Sequence, residues 1–174
     1  FSRHCHKINV FTSKPGSERF KPLGFNTFIS GEIYLRNNVG LFLIYVSRAV
    51  KSCILQGKIK FSDNSIIYSS SDLLADIVPA LYMKLRHKRF QLISGMHLLA
   101  PNPLRGYKKQ WIGGFALPSL TNIYYFLTQR IVMLFLKRLA FLVLVSNNTD
   151  REFLIRKGFL SSGVLVTYGA CDNQ

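Results

Sequence analysis

The sequence predicts an α/β fold, a Rossmann-like domain in three αβα layers around a mainly parallel sheet. Three observations carry that expectation. Short, nearly continuous apolar runs at 65–70, 90–96, 140–146 and 163–168 read as strands buried on both faces. The longer segments between them repeat apolar residues at three- and four-residue steps, the period of a helix. Strand and helix patterns alternate along the chain, as βαβ units require.

Taken in order, residues 7–13 (KINVFTS) form a β-branched and aromatic run. Lys14, Pro15 and Gly16 then read as a turn that ends this strand. Residues 26–34 are expected to be a second short strand. From 39 to 56 the pattern becomes helical, with Phe42, Val46, Ala49, Val50 and Cys53 on the apolar face and Gly57 closing the run. The strand at 65–70 (SIIYSS) is bounded by Asp63 and Asn64 and a serine cluster. Asp72 is the expected N-cap of a helix whose stripe is Leu73, Leu74, Ile77, Val78, Leu81 and Leu85. Its cationic end complements the helix dipole, and Pro79 is expected to kink or divide it.

The strand at 90–96 leads into a polar, Gly/Pro-rich loop from 97 to about 119. A second long helix is expected over 121–139 and a fully apolar strand over 140–146. Thr149 to Glu152 matches a capping box opening a short helix that Gly158 ends. The last strand is 163–168.

Composition limits the function classes. With 174 residues, 48% hydrophobic and 13% aromatic, the chain can bury a core and is not of the disordered class. Phe1 and the tail after Tyr168 suggest cuts through a longer protein. The net charge is +15, and between Asp76 and Asp150 there are ten Lys or Arg residues and no acid. A field of one sign attracts nucleic acid, acidic headgroups or phosphorylated substrates. Cys5, Cys53 and Cys171 are scattered and odd in number, as expected for reduced thiols in the cytoplasm. His4, Cys5 and His6 sit together, but no second ligand cluster follows, so no metal is expected. The most apolar stretch, 123–145, is interrupted by Arg130, Lys137 and Arg138 and is not a spanning segment.

Ligands of open parallel sheets bind beyond the carboxyl ends of the strands. That rule nominates four places: Lys14 to Gly16; Ser69, Ser70, Ser71 and Asp72; Gly95, Met96 and His97 with the long loop that follows; and Ser146, Asn147, Asn148 and Thr149. The plainer alternatives are that Ser71 and Asp72 only cap a helix, and that Asn147 to Thr149 only begin one. His97 follows an apolar strand and opens a polar loop, where an imidazole is available to substrate. Gly113 and Gly114 follow no strand, and GxGxxG, Walker, Ser/His/Asp and HExxH patterns are absent. Lys84, Arg86, Lys88 and Arg89, with Arg130, Lys137 and Arg138, form a candidate anion- or membrane-facing set. The helix at 121–139 is either a core helix or one partly inserted into a membrane interface.

The segments IIYSSSDLLADIVPALYMKLRHKRFQLISGMHLLAPNP and VSNNTDREFLIRKGF, followed by VLVTYGACD, resemble in order the N-terminal half of family-4 type glycosyltransferases of the GT-B fold. The resemblance runs from about Ile8 to Asp172. Two features depart from the family: its first strand and glycine-rich loop are expected upstream of Phe1, and Tyr168 to Asp172 replaces the more usual Gly-Val-Asp. The resemblance implies a single acceptor-side domain over 1–174, with a C-terminal donor domain beyond it. It further implies retaining transfer of a sugar from a nucleotide sugar to a hydroxyl of a glycan or lipid-linked acceptor. His97 matches the family's cleft histidine, and Ser70, Ser71 and Asp72 match a cleft loop. No cofactor or metal is implied, since the nucleotide sugar is a co-substrate, and the enzyme is expected in the cytoplasm, either free or peripheral on the inner face of a membrane. A nucleic-acid-binding module is the main rival, disfavoured because no such module is recognisable. An unrelated small α/β protein is the other.

Overall fold

The computed structural model describes residues 7–31, 38–103 and 120–167. His4 to His6, Gly113 and Gly114, and Tyr168 to Asp172 lie outside the described residues, as does the far end of the strand expected to reach 34. The chain divides into two compact units, one up to Ser62 and one from Asp63.

In the first unit, β1 (Asn9–Ser13) pairs parallel with β2 (Asn26–Gly31). Phe11 and Phe28 are register partners, and their rings stack with centroids 5.2 Å apart. The expected turn at Lys14 is instead the first turn of α1 (Lys14–Phe20). Proline suits that place, because its missing N–H is one that a helix start leaves unbonded in any case. Gly16 is needed for close approach, since a Cβ there would collide with the Thr12 side chain.

Helix α2 (Asn38–Gln56) packs on β2, but through only part of the expected stripe. Ala49, Ser52 and Gln56 are buried, whereas Phe42, Val46 and Val50 are 43%, 37% and 53% exposed. Of the expected stripe only Ala49 is buried, and the Arg48 side chain lies against Gly31 of β2.

The second unit carries four parallel strands in the order β3 (Ile66–Ser69), β4 (Gln91–Met96), β5 (Leu142–Val145) and β6 (Val164–Val166). Helices α3 (Leu74–Arg86), α4 (Leu120–Leu139) and α5 (Asn148–Arg156) connect them in turn. The register puts Leu92, Met96, Val143, Val145 and Val164 on one face. They join Ile77 and Leu81 of α3, Val132 and Leu136 of α4, and Leu154 of α5 in one core. Each such side chain, fully buried, contributes roughly 1.5–3 kcal/mol.

Several local expectations change here. Val78 and Leu85 are exposed, while Ala75, Pro79, Ala80 and Met83 are buried with Ile77 and Leu81. Helix α3 runs undivided through Pro79. Asp72 does not cap it: the N-cap is Leu73, without a side-chain bond. The capping box at Thr149 is replaced by Asn147, whose Oδ1 accepts from the Asp150 amide at 2.8 Å. Asparagine reaches the third residue onward from the cap as well as threonine does, so the helix starts two residues earlier.

Candidate functional site at the strand-end edge

The carboxyl ends of β3, β4 and β5 bring together the loops that begin at Ser70, His97 and Ser146. A parallel sheet ends its strands side by side, so these loops are neighbours although the sequence separates them by up to 76 residues.

Asp72 is the unusual group. It is 5% exposed, and its carboxylate turns into the protein instead of toward the start of α3. Gln129 Nε2, from α4, donates to Asp72 Oδ2 at 2.6 Å, and the Tyr125 hydroxyl lies 3.4 Å from both oxygens. Burial pushes the Asp72 carboxyl above its usual range, because losing water costs the charged form most. The Gln129 and Tyr125 hydrogen bonds and the nearby His97 oppose that rise without cancelling it.

The same two side chains hold the segment after β4. Gln129 Nε2 also donates to the Leu98 carbonyl at 2.8 Å, and its Oε1 accepts from the Ala100 amide at 2.7 Å. The Tyr125 hydroxyl reaches the Leu98 carbonyl at 3.3 Å. From β5, the Ser146 hydroxyl donates to the His97 carbonyl at 2.8 Å. The backbone from the His97 carbonyl to the Ala100 amide is thus held by side chains of α4 and of the residue after β5, while His97 itself is exposed. Gly95 completes the arrangement. A Cβ there would stand 2.7 Å from His97 Nε2 and 2.8 Å from the Ser70 carbonyl, so the imidazole lies where only glycine leaves room.

The remaining nominated residues divide. Ser70 lies beside His97, and its hydroxyl donates to Asp76 at 3.1 Å; Ser71 donates to the same carboxylate at 2.7 Å and accepts from the Leu73 amide. Ser71 therefore braces the start of α3, as the plainer alternative expected. Asn147 is used by the α5 cap, its Nδ2 donating to Asp150 at 2.9 Å. Lys14 to Gly16 belong to the first unit. Gln129 and Tyr125 were not singled out from the sequence, and Gly95 was named there only as part of the loop that carries His97.

The cationic set lies elsewhere in this unit. Lys84, Arg86, Lys88 and Arg89 end α3, and Lys137 and Arg138 end α4, so both groups sit at the strand-start edge, opposite His97. Lys84 is not a free cation, because its ammonium donates to the Lys88 and Phe90 carbonyls at 2.7 and 2.6 Å. Arg130 lies over the Phe126 and Phe153 rings, 4.7 and 5.2 Å from their centroids. No helix among the described residues is long and apolar enough to cross a membrane. Among the same residues, no group of three or more His, Cys, Asp or Glu side chains could hold a metal ion.

Chemically, the edge offers an exposed imidazole on hydrogen-bonded backbone with a buried carboxyl behind it. Such a group can hold a hydroxyl by a directed hydrogen bond and exchange its proton.

No protein-family profile matches this chain, and no curated protein matches its sequence. Among solved structures, UDP-N-acetylglucosamine 2-epimerase from Rickettsia bellii is similar in fold, with a TM-score of 0.54 and 14% identity. The likeness covers 97% of this chain and 39% of the epimerase, so the chain spans about two fifths of that protein. A second UDP-N-acetylglucosamine 2-epimerase structure has a TM-score of 0.46 and 13% identity over 92% of this chain and 48% of its own. The first establishes the fold: parallel α/β organisation resembling one half of a GT-B-like protein.

Proposed function

We propose that this chain is the acceptor-side half of a nucleotide-sugar-dependent glycosyltransferase of the GT-B fold. In that reading a sugar leaves the diphosphate of its donor, a new bond forms between its anomeric carbon and an acceptor hydroxyl, and the hydroxyl proton is released. His97 contacts the sugar or the acceptor hydroxyl, Ser70 and Asp72 shape the adjoining wall, and the acceptor is a glycan or a lipid-linked saccharide. The nucleotide of the donor is held chiefly by residues outside this chain.

The observation that carries the proposal is the exposed His97 held beside buried Asp72 at the strand-end edge. Four hydrogen bonds from Gln129, Tyr125 and Ser146 are spent on the backbone around one solvent-facing imidazole. Fixing a reactive group in advance is how enzyme sites lower the reorganisation cost of a reaction. The GT-B-like fold supports the nucleotide-sugar class, and the resemblance of the strand–loop–histidine segment supports transfer over other chemistry.

The test is saturation-transfer NMR of the chain with a panel of hexose and N-acetylhexosamine oligosaccharides. Saccharide contacts that disappear in His97→Ala are expected. Absence of any saccharide contact, or inversion of UDP-N-acetylglucosamine at C2 by the purified chain, would overturn the transferase reading.

A further inference from the structure

The strand-start edge of the second unit is built differently from the edge that carries His97. Helices α3, α4 and α5 all run back from the strand ends to the strand starts, so their three C-termini collect there. The end of α3 and the turn after it contribute exposed Arg86, Lys88 and Arg89, α4 contributes Lys137 and Arg138, and the end of α5 contributes Arg156 and Lys157. Lys137 lies against Gly158, which ties the second group to the third. The acids nearest this edge are Asp63, before β3, and Glu152, one turn back along α5. Cations at helix C-termini commonly answer the helix dipole and need mean nothing more.

Large apolar side chains exposed among them are what the dipole does not explain. Leu85 is 55% exposed at the end of α3, Phe141 is 60% exposed just before β5, and Leu160 is 78% exposed in the connection to β6. Leu160 and the Phe141 carbonyl both border Gly163, so these two residues are neighbours. One turn back on α4, Leu134 is 69% exposed. The connection bearing Leu160 is held in place by Arg151, which donates to the Ser161 and Val164 carbonyls at 3.3 and 3.2 Å. The apolar groups are therefore presented on fixed backbone.

We propose that this edge docks on the surface of an anionic phospholipid bilayer, with Leu85, Phe141 and Leu160 entering the headgroup boundary and the surrounding cations meeting lipid phosphates. Charge complementarity fixes the sign of the partner. The aliphatic leucines choose lipid over nucleic acid, because a polyphosphate backbone offers them nothing, whereas an acyl boundary does. The orientation follows from the fold. The six residues of β4 span about 20 Å, so a docked unit holds His97 roughly that far from the bilayer side, facing away from it.

Vesicle flotation of the chain tests this directly. The probes are vesicles of phosphatidylglycerol with phosphatidylcholine, and of phosphatidylcholine alone, across a salt series. Binding to the anionic vesicles is expected, with a fraction surviving 1 M salt, where the screening length is about 3 Å. Leu160→Asp and Phe141→Asp are expected to weaken it at least about tenfold, since an acid replaces an inserted apolar group. Leu98→Asp, at a residue 56% exposed but on the opposite edge, is expected to bind as the parent does. Circular dichroism of each variant separates lost docking from lost folding. Absent binding at low salt, unchanged binding in both rim variants that fold, or equal loss in Leu98→Asp would each overturn the proposal. Capture of homopolymeric RNA with no vesicle binding would overturn it in favour of nucleic acid.

Discussion

Gln129 and Asp72 stand 57 residues apart in the sequence, and the amide of one donates to the carboxylate of the other at 2.6 Å inside the protein. Gln129 is 2% exposed and also holds the Leu98 carbonyl and the Ala100 amide, so one side chain ties α4 to two loops of the candidate site. Gln129→Ala leaves a buried carboxylate and two backbone groups without that partner. It is expected to destabilise the second unit by about 2–4 kcal/mol. Urea denaturation measures the loss, and hydrogen exchange at the Ala100 amide is expected to rise with it. An unchanged midpoint would show that the pairing is not maintained in solution.

The buried state of Asp72 makes a pH prediction with a definite sign. Its carboxyl is raised in the folded chain, so the folded state binds this proton more tightly than the unfolded state. Stability from this group is fully present below the unfolded value of about 3.9 and is lost as pH rises through the raised folded value. Asp72→Asn, which keeps an acceptor for Gln129, removes that dependence. The stability of the parent relative to Asp72→Asn is therefore expected to fall with rising pH across this window. A relative stability that rises with pH would contradict the assignment.

The start of α5 separates two capping schemes. Asn147→Ala removes the side-chain acceptor of the Asp150 amide and is expected to cost about 1 kcal/mol. Thr149→Ala touches no cap and is expected to fall within about 0.5 kcal/mol of the parent. Equal losses in the two variants would restore the capping box.

These corrections show which parts of the fold are local. The strands at 65–70, 90–96 and 140–146 and the helices between them were legible because apolar period and turn residues are short-range signals, and the strand-end rule placed Ser70, Asp72 and His97 at one edge. The turn assigned to Lys14 to Gly16 failed because proline and glycine mark turns in general, yet proline also begins helices. The face of α2 is only partly legible: Ala49 of the apolar stripe is buried, but polar Ser52 and Gln56 are buried with it while Phe42, Val46 and Val50 are exposed. Gln129 and Tyr125 carried no signal at all. Their partners lie in other loops, and a polar residue within an apolar helix shows its purpose only when the chain is folded. Gly95 is legible as part of the strand-end loop, but the reason it must be glycine shows only where His97 lies against it.

Gly95 therefore offers a test of how His97 is placed. Gly95→Ala puts a methyl group where the imidazole and the Ser70 carbonyl now approach. It is expected to displace the ring, change the ring-proton shifts of His97 and cost about 1–3 kcal/mol. Unchanged ring shifts in a folded variant would mean that the imidazole is held by nothing at that position.

The most direct measurement is chemical-shift mapping of the isotopically labelled chain with the oligosaccharides that bind it. The account predicts saturable shifts at Ser70, Asp72, His97 and the amides of Leu98 to Ala100, abolished by His97→Ala while the core strands keep their native shifts. Shifts confined to other surfaces, or a binding curve identical in His97→Ala, would contradict the claim that the strand-end edge receives a saccharide.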